Sequence, residues 1–350
     1  DPDYAGLREG IALAKDGAEA ALPLDGFFYL HPAMPNLARL YRQGQAPIVH
    51  AAATGYRERS HFDGQDVLES GQPWAGATQS GWLNRLIANL PAGEGISRKG
   101  VLGVGVVPPL VVRGEAPVLG WAPPRMARAG SDLTMRLADL YGQRDPGLAR
   151  ALAQAIETEG LAQRRGMAGE QKGGGGPDSA DGMRRIAEGA AALVGADDGP
   201  RIAALAFEGW DTHANEGGAK GRLANLLGGL DGAFAAFEQG LGPVWKDTVV
   251  MVATEFGRTA AVNGTTGTDH GTGTVAFLVG GGVKGGRVVA DWPGLKSEQL
   301  YQNRDLKPTT DIRAVAKGVV SELFGLSGPV LAEKVFPDTG GLKPIQGLVV

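Results

Sequence analysis

Residues Arg201-Ile202-Ala203-Ala204-Leu205-Ala206-Phe207 run directly into Glu208-Gly209-Trp210-Asp211-Thr212-His213-Ala214-Asn215. A short apolar run that ends on glycine and ionisable side chains reads as a buried strand stopping at a polar edge. The same grammar continues downstream: a helix over Gly221 to Gln239, a strand over Thr248 to Ala253, a strand over Thr274 to Val279, and a helix over Thr309 to Leu323. Strands alternating with helices of a dozen or more residues predict an α/β protein, with a mostly parallel central sheet and helices on both faces. In such sheets ligands gather at the carboxyl ends of the strands.

The first half carries the same alternation. Helices are expected over Ala5 to Lys15, Ala33 to Gln43, His61 to Leu68 and Gly81 to Asn89, and strands over Pro47 to Ala52, Val101 to Val107 and Leu110 to Val112. Further helices are expected over Ser131 to Tyr141, Pro146 to Gln163 and Ser179 to Val194, with a flexible glycine-rich loop at 164–178 around Gly173-Gly174-Gly175-Gly176. Glycine makes up 57 of the 350 residues, more than twice the usual share of about 7%. It has no three-residue period, so a collagen-like chain is excluded, and it clusters at the ends of apolar runs where tight turns are needed.

Charge and cysteine content exclude several functions. With 34 basic and 38 acidic residues the net charge is −4, and no basic stripe exists to follow a phosphate backbone, so no nucleic-acid partner is expected. No apolar stretch approaches the ~20 residues of a membrane span, so no transmembrane segment is expected. The chain holds no cysteine, which rules out thiolate chemistry and leaves any metal to oxygen and imidazole ligands.

Three polar clusters sit at predicted strand ends. Asp211 and His213 follow the first strand, Thr254-Glu255-Phe256-Gly257-Arg258-Thr259 follows the second, and Gly267-Thr268-Asp269-His270-Gly271 precedes the Thr274 strand. Carboxylates and imidazoles collected this way form a ligand set for a divalent metal such as Zn, Mn, Ca or Mg: Asp211, His213, Glu255, Asp269 and His270. Each has a plainer reading, His213 and His270 as turn residues and Glu255 as the ion-pair partner of Arg258. His31 and His50 read as packing residues. Ser60, at a loop-to-helix junction, reads either as an N-cap or as an attacking hydroxyl activated by a metal, with Arg59, Arg57 or Arg258 balancing substrate charge. It is not in a G-x-S-x-G elbow.

The motifs Arg59-Ser60-His61-Phe62-Asp63-Gly64-Gln65-Asp66, Trp210-Asp211-Thr212-His213, Thr254-Glu255-Phe256-Gly257-Arg258-Thr259, Asn263, Gly267-Thr268-Asp269-His270-Gly271 and Gly281-Gly282-Val283-Lys284-Gly285-Gly286, in this order, resemble the DUF1501 family. That family is placed in the alkaline phosphatase and sulfatase superfamily. The resemblance implies one alkaline-phosphatase-like domain over 1–350, a three-layer sandwich, in a bacterial protein exported to the periplasm or secreted. It implies a metal-dependent hydrolase of phosphate or sulfate esters, taking a small anionic substrate, with Ser60 at the nucleophile position. The alternative is a non-catalytic exported binding or assembly protein that keeps the fold. Glu255-Phe256 stands where most of the superfamily has Asp-His, so one imidazole ligand is replaced by an aromatic ring. The resemblance also implies a first strand and an aspartate upstream of Asp1-Pro2-Asp3-Tyr4, outside this sequence.

Overall fold

The computed structural model describes residues 1–91, 100–105, 107–122, 137–138, 141, 145–164 and 179–350. Apart from a few positions, the expected helix at Ser131 to Tyr141 and the glycine-rich loop at 164–178 lie outside the described residues. In chain order the helices are α1 (Tyr4–Leu7), α2 (Pro35–Arg42), α3 (His61–Ser70), α4 (Trp82–Ala88), α5 (Pro146–Arg164), α6 (Ala180–Val194), α7 (Arg222–Leu241) and α8 (Ile312–Phe324). The strands are β1 (Leu22–Pro23), β2 (Tyr29–Leu30), β3 (Ile48–Ala53), β4 (Val101–Val104), β5 (Val118–Trp121), β6 (Ile202–Leu205), β7 (Val250–Val252), β8 (Thr274–Val279), β9 (Val288–Val289) and β10 (Thr310–Asp311).

Besides the β1–β2 hairpin there are two sheets, in a mixed α/β architecture. One has five strands in the order β10-β3-β8-β7, with β9 also pairing β3, and the other is the three-stranded β5-β4-β6. The smaller sheet is wholly parallel. The larger is mixed, because β8 runs antiparallel to both β3 and β7 while β9 and β10 run parallel to β3. The expectation of mostly parallel pairing holds for four of the six strand pairs described in these two sheets, and the two antiparallel pairs are those of β8. A parallel neighbour requires a crossover, usually a helix, and the connection from β7 to β8 contains none.

Side chains alternate across β3 and β8 as strand geometry requires. Ile48, Phe277 and Val279 pack with Leu37 and Leu40 of α2 and Leu230 and Phe234 of α7. Val49, Ala276 and Leu278 face the other way, onto Ile312, Val315 and Val319 of α8. Helices thus cover both faces, and each fully buried Leu, Val or Phe contributes about 1.5–3 kcal/mol. In the smaller sheet Leu102 and Val104 meet Ile186, Ala190 and Leu193 of α6, and Val101 meets Ile87 of α4. Residues of β6 and β7 are only half-buried, and among the described residues each of these strands pairs on one side only. Ile202 of β6 and Met251 of β7 nonetheless pack against one cluster containing Leu86 and Val320, which joins the edges of the two sheets.

Two local expectations fail and one strand goes unforeseen. The helix expected over Ala5 to Lys15 stops after Leu7, and Gly10 takes φ +82, in the left-handed region a helix cannot continue through. Leu110–Val112 is a single 3₁₀ turn instead of a strand, closed by the N–H groups of Val112 and Arg113 donating to Pro109 O and Leu110 O. The strand that pairs with β4 is Val118–Trp121, which the sequence pattern missed. The helix expected at His61 to Leu68 runs to Ser70 and is stopped by Gly71, with φ +67 and its N–H donating to Val67 O.

Candidate metal centre

Four loops meet at one edge of the sheets. β3 and β7 end there and β8 begins there, since β8 is antiparallel to both, and the β6 loop joins them. They bring His61 at the start of α3, Asp211 and His213 after β6, Glu255 after β7, and Asp269 and His270 before β8. The crossings are backbone on backbone. A Cβ added to Gly267 would lie 2.3 Å from the His213 carbonyl, and one on Gly271 would lie 2.4 Å from that of Arg258. Only glycine permits this approach, which accounts for part of the glycine excess.

The side chains form a tight group. His270 Nε2 lies 3.0 Å from Asp211 Oδ1 and 3.1 Å from the Nε2 atoms of both His61 and His213. His213 Nε2 is 3.1 Å from Asp211 Oδ1, and His61 Nε2 is 3.5 Å from Asp211 Oδ2. The far side of each imidazole is occupied. His61 Nδ1 lies 2.7 Å from Glu255 Oε1, His213 Nδ1 lies 3.1 Å from Asp269 Oδ1, and His270 Nδ1 lies 2.9 Å from the Arg59 carbonyl. A carbonyl or carboxylate oxygen only accepts, so each Nδ1 carries a proton, and the Nε2 atoms turn inward toward Asp211 and one another. Ligand atoms of His61, Asp211 and His270 all lie within 4.8 Å of one another, with His213 Nε2 alongside His270 and Asp211, a grouping that a cation or a shared proton would hold together.

The donor set suits one kind of cation. Ligand atoms 2.0–2.1 Å from Zn²⁺ in a tetrahedron are about 3.3 Å apart, and His61, Asp211 and His270 offer three atoms within 4.8 Å of one another. Imidazole with carboxylate favours Zn²⁺ or another transition metal over Ca²⁺ or Mg²⁺, which take oxygen. Imidazoles that ligate a metal commonly donate their other N–H to a carboxylate or backbone carbonyl, the arrangement seen here. The Phe256 ring closes one side, with its centroid 4.9 Å from those of His61 and His270.

The expected site residues are thus brought together, but in two tiers. Asp211, His213 and His270 face the centre, while Glu255 and Asp269 sit behind His61 and His213. His61 was not among the residues singled out as ligands; its place directly after Ser60 at the end of the β3 loop was the available signal. Glu255 pairs with His61 and not with Arg258, whose Nη1 donates to Asp211 Oδ1 and whose Nη2 donates to Thr268 O. Burial pushes the Asp211 carboxyl up, but the hydrogen bond and charge of Arg258, with His270 and His213, hold it below the usual range. Hydrogen bonds from Asn263 and His213 lower that of Asp269.

Arg59 turns away from the role expected of it. Its Nε donates to Asp305 Oδ2 at 2.8 Å and its Nη2 to Gln302 Oε1 at 2.7 Å, and Asp305 is fully buried. It also sits at φ +60, a backbone strain that places its carbonyl on His270. Ser60 is the N-cap residue of α3 in extended conformation, yet its side chain makes no capping bond. The N-cap reading is therefore not realised through its hydroxyl.

The chain matches the model of DUF1501, a protein family of unknown function, over residues 43–335. It belongs to that family. The match spans the β3-to-α8 body and every residue of the centre. No curated protein and no solved structure matches the chain.

Proposed function

We propose that this DUF1501 protein is a metal-dependent hydrolase of phosphate or sulfate esters, and that its fold is the alkaline-phosphatase-like sandwich its motifs resemble. The observation that carries the metal is the close grouping of His61, Asp211 and His270, with His213 beside it, their Nδ1 protons committed elsewhere. His61, Asp211, His213 and His270 would hold it. When bound, a divalent ion polarises an ester oxygen and lowers the pKa of a nearby hydroxyl. Glu255, Asp269 and the Arg59 carbonyl keep the imidazole protons on the outer nitrogens. Ser60, next to His61 and with an uncommitted hydroxyl, is the nucleophile of this reading. Arg258, anchored on Thr268, places a positive charge beside Asp211 where an anionic substrate would sit. Export to the periplasm or beyond is proposed on the family resemblance alone.

A specific observation supports a second reading, a binding or assembly protein that keeps the metal without turnover. Arg59 and Arg258 are both paired with carboxylates, so neither guanidinium is free for a substrate.

The test is metal content followed by turnover. Zn²⁺ or Mn²⁺ should bind and raise the melting temperature, and phosphate or sulfate esters should be cleaved in a chelator-sensitive, Ser60-dependent way. Absence of metal binding would remove the metal centre. Metal binding with no cleavage across phosphate monoesters, diesters and sulfate esters would leave the non-catalytic reading. Cleavage unchanged in Ser60→Ala would remove the serine from the mechanism.

A further inference from the structure

Beside the centre lies a notch of about 240 Å³, sharing Asp269 with it. Its other walls include Arg304, Asn303, Leu300, Val262 and Leu7. Two contacts fix how close it stands: Asp269 Oδ1 accepts from His213, and Arg304 Nη1 donates to the His270 carbonyl at 2.8 Å. A molecule in the notch therefore lies one residue away from two of the inward-facing imidazoles.

The chemistry of the walls is specific. Asp269 spends Oδ1 on His213 and Asn263, and its Oδ2 carries no hydrogen bond among the described residues. Arg304 spends Nη1 on His270 O and Asp305 Oδ1, which leaves the donors on Nε and Nη2. Their side chains are 48% and 41% exposed, so both reach solvent. Asn303 adds an amide, held in the left-handed region at φ +53. One acid and one base cancel in charge, and Leu7, Val262 and Leu300 supply an apolar side. The space lies below the ~300–1,000 Å³ of pockets for drug-sized ligands.

We propose that this notch binds the alcohol portion of the ester as a short polyol. Its hydroxyls donate to Asp269 Oδ2 and accept from Arg304 and Asn303, and its C–H face rests on Leu300 and Val262. The proposal rests on the ester-hydrolase reading for the position of the acid group, which would lie over the imidazoles. The notch itself is independent of the metal.

Binding of glycerol 1-phosphate and of ethyl phosphate to the full chain, measured by calorimetry with Zn²⁺ and again after EDTA treatment, tests this. Glycerol 1-phosphate should bind at least about tenfold more tightly, the effect of one or two net hydrogen bonds. Asn303→Gly removes the amide without straining the positive φ, and Val262→Phe fills the space. Both should erase the preference while leaving Zn²⁺ affinity unchanged. Equal binding of the two esters by the wild type under both conditions, or a preference that survives both substitutions, overturns the proposal. A preference that persists in EDTA together with absence of Zn²⁺ binding keeps the notch and counts against the metal reading alone.

Discussion

His61, His213 and His270 at the strand ends and His50 within β3 and His31 after β2 are the same residue in two different conditions. In the first region every Nδ1 meets an oxygen and every Nε2 points inward. His31 is wired the other way round: Ala33 N–H donates to its Nδ1 at 3.0 Å, so its Nε2 carries the proton and donates to Gly218 O at 3.0 Å. His50 lies between Phe28 and Trp292, ring centroids 5.0 and 5.2 Å away, and its buried Nδ1 has no hydrogen-bond partner among the described residues. What makes a histidine a ligand candidate is therefore which nitrogen its neighbours leave unprotonated, together with a second such nitrogen close by.

The most direct way to break this contrast is His270→Ala, which removes the nitrogen common to both short imidazole pairs. Zn²⁺ affinity should fall by three orders of magnitude or more, about 4 kcal/mol. The rise in melting temperature on adding Zn²⁺ should vanish, as calorimetric titration and thermal denaturation would show. Unchanged Zn²⁺ binding would mean that the convergence is not a metal site.

His50 gives the next largest effect, and it is a pH effect. Burial lowers its pKa from the ordinary 6.5 to about 4, so the folded protein keeps the ring neutral where the unfolded chain takes up a proton. Its share of stability is complete above pH 6.5 and declines as pH falls from there to about 4, by about 3 kcal/mol in all. His50→Phe should flatten this part of the urea-denaturation profile and leave Zn²⁺ affinity untouched. A profile equally steep in the variant would place the acid sensitivity elsewhere.

Glu255→Gln sharpens the distinction between the two tiers. Outer partners of ligating imidazoles are worth about 10–100-fold in metal affinity, so Zn²⁺ should bind that much more weakly with little change in the metal-free melting temperature. A loss as large as that of His270→Ala would make Glu255 a direct ligand. The smallest effect is expected for His31→Ala. It loses two hydrogen bonds at about 1 kcal/mol each and should destabilise the fold by roughly that sum without affecting metal.

Much of the site could be read from linear sequence because its residues lie within a few positions of strand ends, where apolar runs stop and glycine begins. Asp211, His213, Glu255 and His270 were visible for that reason. His61 was obscured because its local surroundings are those of an ordinary helix start, and its significance comes from Glu255 and His270, 194 and 209 residues away. The fold shows the same limit. The β8 run was legible to the residue because β-branched and apolar side chains fill it, but its direction was not. Direction depends on how the loop between β7 and β8 returns, and Gly257, Gly267 and Gly271 permit that return through contacts made only in the folded chain.

Composition and pattern alone determined the α/β class, the absence of any thiolate ligand, and the strand ends at which ionisable groups collect, because these follow from local periodicity and residue chemistry. The tertiary structure decided which carboxylates face the centre and which stand behind an imidazole. It also bound Arg59 to Asp305 and placed an oxygen against the Nδ1 of His61, His213 and His270. These depend on distances between residues far apart in the chain, which no local pattern encodes.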